Sequence, residues 1–163
     1  MKKLFSMLLA LVLALGVIAV APISASAAIE AGNAAALAEA LDNAASGDTI
    51  KLTADITYND WICIAGKSIT FDLNGKTLTA TGGIAADSGG NILLADPNNG
   101  AFNVTFTSES DDSPVISFPG STIEVTNVNC AGALCYALLA EDSGEIVVYD
   151  RPAERPGRLG AVG

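Results

Sequence analysis

The sequence predicts an all-β chain wound as a parallel β-helix, a solenoid, with one short helix at its N-terminal end. Three observations predict it. Gly-led strand starts recur at Gly66 (GKSITF), Gly90 (GNILLA), Gly120 (GSTIEV) and Gly144 (GEIVVY), spaced 24, 30 and 24 residues apart by their numbering. Repeats of about 20–50 residues mark stacked architectures, and near two dozen residues suits one coil of three short strands and three turns. The segments after these glycines alternate apolar and polar residues, as a half-buried strand does. Finally, the body of the chain is rich in Ala, Thr, Asn, Gly and Asp with few aromatics. Such a composition fills only small core layers, so the layers must be repeated.

The elements follow in order. Lys2 and Lys3 form a basic start, Leu4 to Val20 an apolar run, and Ala25-Ser26-Ala27 a small-x-small cleavage site. Residues 1–27 therefore read as an export signal, with the mature chain starting at Ala28. The alternative is a retained membrane anchor, against which the short apolar run argues. Cleavage leaves 136 of the 163 residues, enough for one domain over 28–150. Asn33 is an N-cap for a helix within about 33–46, whose apolar stripe is Leu37, Ala40, Leu41 and Ala44, with Gly47 as its stop. A helix this short needs an apolar surface, and the open end of a solenoid supplies one.

Strands are expected at Thr49 to Leu52, Ser68 to Leu73, Asn91 to Ala95, Phe102 to Thr107, Val115 to Phe118, Thr122 to Asn127 and Glu145 to Tyr149. Ile69, Phe71 and Leu73 should point inward, Thr70 and Asp72 outward. Asn74-Gly75 is a turn, because both residues tolerate positive φ. The longer middle repeat is expected to hold an insertion at Asp96-Pro97-Asn98-Asn99-Gly100. About four coils fit, stacked at ~4.8 Å. The segment 151–163 carries all three arginines and no strand pattern, and reads as a disordered or non-native tail.

The segment LAEALDNAASGDTIKLTADI, from Leu37, resembles the N-terminal cap and first strand of secreted right-handed parallel β-helix proteins of the pectate-lyase-like superfamily. GKSITFDLNGKTLTAT, to Thr81, is similar to a first-coil motif of exported bacterial β-helix surface proteins. The resemblance implies a right-handed coil. It implies function only loosely, because that fold carries lyases, hydrolases, adhesins and passive stalks.

Charge and chemistry narrow the classes. The net charge of −10 becomes −12 without the leader lysines, which argues against nucleic acid and anionic membrane surfaces as partners. The chain has no histidine, which removes Ser-His-Asp and Cys-His pairs and His-based zinc sites. Lyases of the resembled fold use acidic calcium ligands with a basic residue, but Lys51, Lys67 and Lys76 are the only bases of the body and none lies beside a carboxylate pair. Lys76 is expected at an exposed corner.

Candidate positions remain. Outward Asp72 and Glu124 could share one face; the plainer reading is isolated solvated acids. Glu109, Asp111 and Asp112 form the densest acidic cluster, either a calcium site or a flexible acidic loop. Trp61, beside Tyr58, is either a sugar-stacking platform or packing against the cap helix, the latter preferred. Cys63, Cys130 and Cys135 are an odd number for an exported chain. They are read as small residues in a stacked interior row, with a Cys130–Cys135 bridge across a turn as the alternative.

The functional expectation is an exported, non-catalytic β-helix module at the cell surface or secreted, serving adhesion, spacing or weak carbohydrate contact. No cofactor is expected beyond the calcium reading. Its partner would be an extracellular polysaccharide or cell-wall component, with no membrane contact after cleavage. End-to-end self-association through an uncapped last coil is a third class. The competing expectation is an N-terminal fragment of a polysaccharide lyase or glycoside hydrolase whose catalytic coils lie elsewhere.

Overall fold

The computed structural model describes residues 28–107, 113–132 and 136–149. The expected leader, the tail and the acids Glu109, Asp111 and Asp112 lie outside the described residues. The chain opens with β1 (Ile29–Ala31), helix α1 (Ala34–Asn43) and β2 (Thr49–Leu52). It continues through β3 (Ile56–Tyr58), β4 (Ile62–Ala65), β5 (Ser68–Asp72), β6 (Thr77–Ala80), β7 (Ile84–Asp87), β8 (Asn91–Leu94) and β9 (Ala101–Thr107). The last strands are β10 (Val115–Ser117), β11 (Thr122–Val125), β12 (Asn127–Ala131), β13 (Leu139–Ala140) and β14 (Glu145–Val148).

From β2 onward the chain visits three sheets in rotation, laying each strand beside the one a coil earlier. One sheet has six strands in the order β1-β2-β5-β8-β11-β14. The others have four each, β3-β6-β9-β12 and β4-β7-β10-β13. Every pairing is parallel. This is a parallel β-helix of about five turns. Its connections belong to the crossover class that is right-handed in nearly all proteins.

Stacking places like residues in columns. Ile69 pairs with Ile92, Ile92 with Ile123 and Ile123 with Ile146, one inward isoleucine per coil. The first three are fully buried. Ile69, Phe71 and Leu73 point inward as expected, and Leu78 is buried with them. Phe71 and Phe102 meet with ring centroids 5.3 Å apart and tilted by 59°. Tyr58 stacks over Ala80, so a large ring and a small methyl share one layer boundary.

The cap helix forms for local reasons. The Asn33 side chain accepts the Ala36 N–H at 2.9 Å, which satisfies one of the orphan donors of the first turn. Leu37, Ala40 and Ala44 are buried and Leu41 partly so. The helix lies on β1 and β3, covering the first layer of the core. At its far end the Lys67 Nζ donates to the carbonyls of Leu41 and Ala44, both at 2.9 Å.

Four expectations need correction. The recurring glycines are not in register. The strands pair Ser68 with Asn91 and Thr122 with Glu145, so their true offsets are 23 residues in both steps rather than 24. Gly66 and Gly120 stand two residues before their strands and take positive φ of 63° and 73°. Gly90 and Gly144 stand one residue before, where a Cβ would lie 2.3 Å from the carbonyl oxygens of Ile64 and Ser117. Glycine recurs for two different physical reasons, which pattern alone merges.

The insertion also moves. Phe71 pairs with Leu94 at an offset of 23, and Leu78 with Phe102 at 24, so the turn over Asp96 to Gly100 adds only one residue. Asn103 pairs with Asn127 at 24, whereas Ile84 pairs with Val115 at 31. The extra residues therefore fall between β9 and β10, in the stretch containing the acidic cluster.

The expected strand Thr122 to Asn127 is two strands, β11 and β12. Between them the buried Thr126 hydroxyl accepts the Phe102 N–H at 2.8 Å and donates to the Phe102 carbonyl at 3.0 Å. The side chain thus takes up the Phe102 N–H at the bend, while the Thr126 backbone N–H donates to the Phe102 carbonyl at 2.9 Å. Finally, Cys63 points outward from β4 and is a free, exposed thiol, not a member of an interior row. Cys130 is half-buried and disulfide-bonded; Cys135 lies outside the described residues.

Candidate functional site

The irregular features of the chain gather at one corner, where each coil passes from the β3-β6-β9-β12 sheet to the β4-β7-β10-β13 sheet. The first coil contributes Asn59, Asp60 and Trp61, the second Thr81, Gly82 and Gly83. Among the described residues the third contributes Ser113 and Pro114, and the fourth Gly132, Tyr136 and Leu138. A rigid scaffold with its variation in aligned loops is where binding groups are generally found.

Trp61 is the most conspicuous of these residues. It is 42% exposed, yet held on its inner side. Its ring meets Phe106 edge-on, with centroids 6.5 Å apart and planes at 66°. Below it lies Gly83, where a Cβ would sit 2.9 Å from Trp61 Cη2 and whose φ is 108°. Glycine at this corner is therefore what gives the indole its seat. Beside it the Thr81 hydroxyl donates to Asn59 Oδ1 at 2.8 Å, tying adjacent coils together. The result is an anchored aromatic surface bordered by amide, hydroxyl and carboxylate groups.

The preferred expectation for Trp61, packing on the cap helix, is overturned. The ring lies against Gly83 and Phe106 instead. Tyr58 is the residue turned inward, 7% exposed, at a strand that α1 covers. Burial pushes its hydroxyl above the usual tyrosine range, with the charges of Asp60 and Asp42 adding in the same sense. The sequence neighbours Tyr58 and Trp61 thus face opposite ways.

Asp72 and Glu124 lie on the outward face of the six-stranded sheet, on β5 and β11 with β8 between them. Two strand spacings and a shift of two residues along the strand separate them, about 12 Å between backbones, because Glu124 stands level with Leu93 and Thr70 rather than with Asp72. Each is engaged locally. Asp72 Oδ1 accepts the Asn74 N–H at 3.0 Å and shapes the Asn-Gly corner, where Asn74 has φ 49°. Glu124 Oε2 accepts the Leu94 N–H at 2.7 Å, and its Oε1 accepts the Tyr149 hydroxyl at 2.9 Å. The fold does not bring the two carboxyls together. Among the described residues no group of three or more His, Cys, Asp or Glu is placed to hold a metal ion.

Lys67 is committed to the cap, and half-buried Lys76 sits at the corner after Gly75. A shallow cleft of about 340 Å³, lined by Ser113, Tyr136, Leu138 and Leu139, lies at the far end of the Trp61 corner. Phe106 and Gly83 were not legible as site residues. Phe106 lies in an alternating strand and Gly83 in an ordinary Gly-Gly turn, so only the stacking of coils brings them to Trp61.

No protein-family model, curated protein or solved structure matches this chain. No helix among the described residues is long and apolar enough to cross a membrane.

Proposed function

We propose that this chain is an exported β-helix module, related to the secreted proteins of the pectate-lyase-like superfamily, that contacts extracellular polysaccharide without catalysis. The reading of export rests on the leader pattern of residues 1–27. The stacked coils supply a stiff spacer, and the Trp61 corner supplies the contact.

The single observation that carries this reading is the exposed indole held by Gly83 and Phe106. An aromatic face presented at fixed orientation loses little freedom when a sugar ring lies on it, and bordering Asn59, Asp60 and Thr81 offer hydrogen bonds to hydroxyls. Among the described residues Asp60 is the carboxylate beside the ring, and contact rather than cleavage is the work proposed.

The test uses the chain's single tryptophan. Emission titrated with neutral and uronate-containing cell-wall polysaccharides should change saturably for at least one class, and Trp61→Ala should lose retention on an affinity gel of that polymer. Unchanged retention of the variant would remove the proposed site.

A further inference from the structure

We infer that the saccharide this chain takes is a neutral, extended polymer lying across the coils on the outward face of the β3-β6-β9-β12 sheet, beginning beside Trp61 and placing one sugar ring on each strand. This rests on the polysaccharide reading and adds the class, direction and length of the ligand.

The face differs from its neighbours. Its four strands, ITY, TLTA, AFNVTFT and NVNCA, contain no charged residue, in a chain of net charge −10. The six-stranded sheet carries Glu30, Lys51, Asp72, Glu124 and Glu145, and the third sheet carries Asp87. What the uncharged face presents is Thr and Asn in register. Thr57 pairs with Thr79, Thr79 with Asn103 and Asn103 with Asn127. Two residues further along, Thr105 pairs with Asn129, and the Thr81 hydroxyl donates to Asn59 Oδ1 at 2.8 Å. All of these side chains are exposed or half-buried. Asn59 and Thr81 also border the indole, so the ladder is continuous with the Trp61 corner.

Hydroxyl and amide groups both donate and accept, so the ladder suits a ligand that repeats hydroxyls in both roles. An extended chain of β-1,4-linked pyranose rings advances by about one strand spacing per ring, ~4.8 Å, and holds its direction. Laid across the coils, it meets a fresh Thr or Asn on every strand. Laid along a strand it falls out of step, because outward residues recur there only every ~6.6 Å.

Charge selects among such chains. A uronate brings one carboxylate per ring. Asp60 stands beside Trp61, and the four strands offer no cation to offset the repulsion. Lys76 stands at the entry of β6, at the opposite end of that strand from the Trp61 corner. Asp55 lies there too, accepting the Thr77 N–H at 2.8 Å. A neutral chain meets no like charge along this path.

Calorimetric titration of the full chain tests this, with neutral β-1,4-linked gluco-oligosaccharides of increasing length and with uronate oligomers of matching length. Affinity for the neutral series should rise with each ring up to about four, one per strand, and then level off. The uronates should bind roughly tenfold or more weakly. Thr79→Val keeps the shape and loses the hydroxyl, and Asn127→Ala removes the amide on the fourth coil. Each should weaken binding of the longer oligomers roughly two- to tenfold, the scale of one hydrogen bond. Asn127→Ala should leave the affinity for the two-ring sugar unchanged, and Thr70→Val, on the six-stranded sheet, should change neither. Melting midpoints confirm that each variant is folded. A two-ring sugar that binds with no gain from added rings would overturn the inference and leave the Trp61 contact standing. Uronates binding as tightly, or indifference to both ladder variants, would overturn it in the same way. Failure of every oligomer to bind would remove the polysaccharide reading and this inference together.

Discussion

The Lys67 ammonium donates to the Ala44 carbonyl at 2.9 Å, joining the end of the cap helix to the corner before β5. The same ammonium reaches the Leu41 carbonyl, so two orphan acceptors at the helix C-terminus are satisfied by one cation. Replacing it with a side chain of similar length and no charge, Lys67→Met, should cost about 1.5–3 kcal/mol, the range for a hydrogen bond involving a charged group. Urea denaturation measures the loss. Amide exchange should speed up in Ala34–Asn43 before the stacked strands.

The seat of Trp61 should be sensitive to one methyl group. Gly83→Ala adds a Cβ 2.9 Å from the indole in a backbone conformation of φ 108°. The cost should be about 1–3 kcal/mol from backbone strain alone. The chain has one tryptophan, so a red shift in emission reports directly on loss of the seat. A variant that is destabilised with an unshifted spectrum would show the ring is held by Phe106 alone.

The paired rings of Phe71 and Phe102 hold adjacent coils, and both are fully buried. Phe102→Ala should destabilise by about 3–5 kcal/mol, as large-to-small changes of buried aromatics do. Because each coil touches only its neighbours, the damage should propagate to both adjacent layers. Denaturant midpoints check the size of the effect.

Tyr149 and Tyr58 predict an alkaline limit. The hydrogen bond to Glu124, ahead of burial and of the charges of Glu124 and Glu145, holds the Tyr149 hydroxyl above its usual value. Tyr58 is raised first by burial. A tyrosine raised on folding keeps its proton more firmly in the native state. The stability it contributes is present in full below the unfolded value near 10 and is lost as pH rises through the folded one. Thermal melts should therefore fall in midpoint above about pH 10, and Tyr149→Phe should flatten part of that fall.

The coiled architecture was legible because inward isoleucines recur once per coil and Asn74-Gly75 announces its own corner. Shorter elements were not. β3 has three residues and β13 two, too few for a period to register. The glycine repeat misled by one position, since a Gly needed for positive φ and a Gly needed for close approach look alike in sequence. The insertion was placed at a Pro-Asn-Asn-Gly turn because turn residues advertise themselves. Register, which only pairing reveals, moves it between β9 and β10. The Trp61 site was legible only as an aromatic of uncertain face. Its partners Gly83 and Phe106 stand 22 and 45 residues further along, and nothing local links them.

The central claim is that consecutive coils stack in parallel with Ile69, Ile92 and Ile123 in one inward column. Methyl-to-methyl nuclear Overhauser contacts in an isoleucine-labelled sample test it most directly. The account predicts cross-peaks joining Ile69 to Ile92 and Ile92 to Ile123. Close Hα–Hα contacts between consecutive strands, the mark of antiparallel hairpins, would contradict it.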